Sequence, residues 1–151
     1  VQALQIGAKN NNAVRRTETT VSLLARVVPL PTLAPVIIET GLFQHVITTL
    51  ENDTQSGVIL AAYLDVLARM VLVDPSMFLQ IVFEAARVMK LSDAKVPDAE
   101  AVLEQVLDSF WRNFDYVGET RMRKAVAMAA ATLLTTGHRQ CLERLDGEFC
   151  K

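Results

Sequence analysis

The sequence predicts an all-α fold, with antiparallel helix pairs stacked as HEAT-like repeats in a segment of an α-solenoid. Three observations carry that prediction. Apolar residues recur at three- and four-residue steps over windows too long for buried strands, and without strand-like alternation. The five prolines and six glycines fall mostly between these windows or at their edges, where helices start and stop. Apolar residues make up 51% of the 151-residue chain and the mean hydropathy is +0.26. A chain of this length leaves much of itself at the surface, so that apolar content implies faces covered by neighbouring helices. Residues 1–151 read as one helical segment, and a start at Val1 agrees with a piece of a longer solenoid.

The elements follow in order. Lys9-Asn10-Asn11-Asn12 reads as a loop. The first helix pair lies near 16–50. Its first helix, about 16–28, buries Val21, Leu24, Val27 and Val28, and Pro29 and Pro31 end it. Its second, Leu33 to Leu50, carries Val36, Ile37, Phe43, Val46 and Ile47, with Gly41 as a kink or a break. Asn52-Asp53-Thr54 supplies a turn and a capping side chain. It also matches the N-glycosylation pattern, which without a secretory signal is read as chance.

The second pair lies near 54–90. Its first helix, to Val73, carries only Asp65 and Arg69 as charges; four residues apart, they pair on one face. So apolar a helix is covered on most sides. Asp74-Pro75 is a helix start, a capping side chain followed by proline in the first turn.

Near 98–135 lies the third pair. Its first helix, about 98–114, carries Val102, Leu103, Val106, Leu107, Phe110, Trp111 and Phe114 as the clearest apolar stripe, and Gly118 breaks the pattern. The helix from Glu119 to Thr135 is rich in alanine, which lets neighbours approach closely, and Gly137 suits its C-terminal cap. A final helix is expected over 138–149. The second and third pairs begin about 44 residues apart, inside the roughly 40–47 of HEAT and armadillo units.

Function is read mainly by exclusion. A formal net charge of -2 argues against nucleic acid and anionic membrane as partners, since both call for a basic excess. The longest apolar run, Val58 to Val73, is too short and too charged to span a bilayer. Cys141 and Cys150 make no disulfide framework and read as free thiols. His138 and Cys141 share a helix face, which reads as a surface helix start because a structural zinc needs four ligands. His45 reads as a packed or rim histidine. No glycine-rich phosphate loop occurs, and no nucleophile stands beside an oriented base. The chain is therefore expected to be no enzyme, with no catalytic residues, cofactor or metal.

Two charged clusters remain as candidate protein-binding residues. Glu100, Glu104 and Asp108 recur every four residues, an acidic ridge opposite the apolar stripe. It is either a solvated face or a dock for a basic partner. Arg121, Arg123 and Lys124 form a basic patch, with Arg112 nearby, at a helix N-terminus, where positive charge opposes the helix dipole. Asp115 and Glu119, or an acidic partner, would neutralise it. Trp111 is read as core, or else as an exposed anchor for a partner.

Several runs resemble the C-terminal region of importin-β (karyopherin-β) family transport receptors, and within them the importin eleven subtype. These are Leu64-Asp65-Val66-Leu67-Ala68-Arg69-Met70, Met77-Phe78-Leu79, Val106-Leu107-Asp108-Ser109-Phe110-Trp111-Arg112-Asn113-Phe114-Asp115, and Arg121-Met122-Arg123-Lys124-Ala125. The resemblance spans about Asp65 to Leu134. It implies a HEAT-repeat superhelix that shuttles between cytoplasm and nucleus, with protein cargo and nucleoporins as partners. Ran GTPase would be bound through other parts of the full-length protein. The alternative is a non-enzymatic HEAT scaffold or adaptor for another assembly.

Overall fold

The computed structural model describes residues 30–51, 56–92 and 98–143. The helix expected over 16–28, the Asn52-Asp53-Thr54 turn, Cys150 and the last helix beyond Glu143 lie outside these residues. The described helices are α1 (Leu30–Glu39), α2 (Leu42–Leu50), α3 (Gly57–Val73), α4 (Pro75–Ser92), α5 (Ala99–Arg112) and α6 (Thr120–Thr135), with a 3-10 turn over Phe114–Tyr116. Residues 139–143 are helical as well. No strand occurs among the described residues, and the helices pack in pairs as an all-α repeat fold should.

Local chemistry sets most of the boundaries. The Asp74 side chain accepts from Met77 N–H at 2.9 Å and starts α4; Asp98 accepts from Ala101 N–H at 3.0 Å and starts α5. Each satisfies a first-turn donor that has no partner within its helix. Gly137, at φ 70°, holds the left-handed turn after α6 and donates to Leu134 O at 3.2 Å. Gly41, at φ 66°, breaks rather than kinks the expected 33–50 helix, and α1 and α2 meet at 76°.

Three expectations need correction. Helix α1 begins at Leu30, with Pro31 in its first turn and Pro35 inside it. Proline at the first turn removes only an N–H that had no partner anyway, so Pro31 opens this helix instead of closing the one before. Val36, one of the apolar residues carried by the expected 33–50 helix, is 53% exposed. Helix α5 ends at Arg112, just short of the expected Phe114, because Asn113 caps it and the chain tightens into the 3-10 turn.

The second and third pairs are nested. Helix α4 lies along α5, and α3 lies along α6 in the most extensive packing of the molecule. Helix α3 also touches α2, α4 and the 3-10 turn, which buries it on most sides, as its composition predicts. Leu64, Ala68 and Val71 have no exposed surface. Asp65 is buried with them and accepts from Arg69 Nε at 2.6 Å. No single described helix is long and apolar enough to cross a membrane.

Candidate functional site

The third pair is built from two polar anchors and one open seam. Asn113 is buried at the end of α5. Its Nδ2 donates to Leu50 O at 3.1 Å and to Ser109 O at 3.2 Å. Arg112 Nη2 reaches the same Leu50 carbonyl at 3.4 Å. These bonds tie the C-terminal end of α2 to that of α5, and a cation there also suits the helix dipole. Arg112 thus helps to hold the joint between α2 and α5.

Helices α5 and α6 touch each other only sparsely. Between them lies an apolar groove of about 170 Å³, whose walls include Trp111 and Phe114 on one side and Ala127, Ala130, Ala131 and Leu134 on the other. A narrower extension runs on to Cys141. Trp111 is half-buried in this wall and not sealed in the core. Alanines at 127 and 131 are exposed, so here the small residues of α6 leave space open.

The basic patch sits at one end of the groove. Arg123 stacks over the Phe114 ring, 5.0 Å from its centre, and stands 3.7 Å from Asp115 Oδ1. Asp115 therefore supplies part of the neutralisation that the sequence called for. Arg121 and Lys124 are exposed and have no ion-pair partner among the described residues. On α5, Glu100 and Glu104 are exposed, while Asp108 is partly buried and engaged by neighbours. Glu100 comes near Arg139, whose guanidinium is pushed up first by its hydrogen bond to Glu143, at 2.6 Å, and further by Glu100.

The histidines and the described cysteine are structural. His45 Nε2 lies 3.2 Å from the Tyr63 hydroxyl across α2 and α3, and burial lowers its pKa. Cys141 is 2% exposed, and burial raises its thiol pKa. The reading of 138–141 as a surface helix start therefore fails for Cys141, which packs into the core while His138 rests on Phe83. No group of three His, Cys, Asp or Glu side chains that could hold a metal occurs among the described residues.

A family model described as importin-11-like, TPR repeats, matches residues 2–151. The chain belongs to the importin-11-like family. Comparison with curated proteins and with solved structures gave no match. The match takes in residues 2–64 too, where the sequence resemblance is thin, and so extends the likeness to almost all of the 151 residues. Its description speaks of TPR repeats, while α3 and α5 begin about 42 residues apart, a spacing closer to HEAT units than to the 34 of a TPR. Both are stacked helix pairs, and the core described above obeys the packing logic they share.

Proposed function

We propose that the chain is a non-enzymatic, protein-binding segment of a nuclear transport receptor that contributes to cargo binding or to superhelix architecture during import from cytoplasm to nucleus. The family match over residues 2–151 carries this reading, and the open α5–α6 groove gives it a physical basis. Exposed apolar side chains beside unpaired cations suit a protein partner. Glu100, Glu104, Arg121, Arg123 and Lys124 are exposed and Asp108 is partly buried, which leaves these charges available to a protein partner. Ran would act through other repeats of the receptor, and nucleoporins would be met during passage. The test is capture of nuclear-directed proteins by the longer receptor that carries this segment, with and without Ran-GTP. Capture that responds to Ran-GTP is expected; capture indifferent to it overturns the reading in favour of a general scaffold.

A further inference from the structure

We infer that the α5–α6 groove docks one amphipathic helix of a partner protein, with an aliphatic side chain in the apolar pocket and carboxylates over Arg123 and Lys124. This rests on the reading of the chain as a protein-binding segment and names the chemistry of what it binds.

Size comes first. The pocket, about 170 Å³, is close to the roughly 150 Å³ of an apolar cavity that holds benzene, so it takes one branched aliphatic side chain or one ring. Its walls are almost wholly apolar, and Trp111 and Phe114 offer rigid surface of the kind that anchors interfaces. Direction comes next. Arg123, Ala127, Ala130 and Leu134 recur at helical steps along one face of α6. The cationic end and the apolar floor therefore form one strip about 16 Å long. Arg123 is held at the mouth by the Phe114 ring, and Lys124 stands beside it without an ion-pair partner among the described residues. A helix laid along the strip meets positive charge at one end only, and its own acidic end settles there. The larger groove between α1 and α4 is lined by Glu39 and Glu84 as well as Arg87 and so presents no excess of positive charge at either end.

Trp111 is the only tryptophan, so its emission reads the groove directly. The probe is a synthetic amphipathic peptide of about four helical turns, with glutamates in its first turn and leucines along one face. Titrated into the full chain, it is expected to give a saturable blue shift. A version with lysines replacing the glutamates should bind about tenfold more weakly or worse. The double variant Arg123→Glu, Lys124→Glu should reverse that preference, and Ala130→Leu, which fills the pocket, should abolish binding of both peptides with helix content unchanged. Equal binding of the two peptides, or normal binding to the filled groove, overturns the proposal. Emission that shifts with chain concentration alone assigns the groove to a second copy and overturns it as well. None of these readouts involves Ran, so failure here is distinct from failure of the transport reading.

Discussion

Helices α3 and α6 pack against each other more extensively than any other two elements, yet they are opposites in burial. Twelve of the seventeen residues of α3 are buried, against three of the sixteen of α6. Helix α3 spends its side chains on the core from every direction. Helix α6 presents Val126, Ala129 and Leu133 to the core and leaves Ala127, Met128 and Ala131 outside, below a cluster of cations. In a stacked-helix protein, apolar composition alone therefore does not say which helix is architecture and which is surface. The neighbours decide.

The sharpest way to break the comparison is to change one side chain on each helix. Leu64 is fully buried, so Leu64→Ala should destabilise the chain by about 3 kcal/mol, from lost transfer energy plus a cavity. Ala131→Ser, on the open face of α6, should change stability by less than about 0.5 kcal/mol. Urea unfolding of both variants measures the gap, and equal losses would show that α6 is as deeply packed as α3.

A smaller effect tests the joint between the first and third pairs. Asn113→Ala removes both hydrogen bonds from its amide and leaves the Leu50 carbonyl dependent on the long contact with Arg112. A loss of about 1–2 kcal/mol is expected, the usual consequence of a buried polar group losing its partner. If the midpoint holds, the 3-10 turn rests on packing instead.

Such long-range bonds mark where sequence reasoning stopped. Asp74-Pro75 and Gly137 were legible because capping is settled within one turn of chain. The Asp65–Arg69 pair was legible because four residues make one helical step. The Asn113 anchor was not, since its partner is the Leu50 carbonyl, sixty-three residues back. Pro31 misled because proline closes one helix and opens another by the same missing N–H. At the candidate site the charges could be read directly. The groove could not, because which alanines of α6 face outward depends on where α3 and α5 lie.

Acid offers a milder probe of the α2–α3 contact. Burial lowers the His45 pKa below its ordinary 6.5 in the folded chain, so the unfolded chain binds the proton more readily. This contribution to stability is complete above about pH 6.5–7 and is lost as the pH falls toward the folded value. Thermal unfolding followed downward from pH 7 should show a shallow decline that His45→Gln flattens. An unchanged slope would assign the decline to other groups.

The smallest expected effect is the most telling for α6. Arg121 lies in its first turn, where the dipole disfavours positive charge, and no described residue pairs with it. Arg121→Glu should therefore stabilise the fold, by about 0.3–1 kcal/mol. Were the basic patch present for stability, the substitution would lower the unfolding midpoint. A raised midpoint together with weaker capture of an acidic peptide separates the two roles in one variant. It would mean that α6 accepts a small folding cost at its N-terminal end to keep cations where a partner can reach them, a cost that the largely buried α3 has no reason to bear.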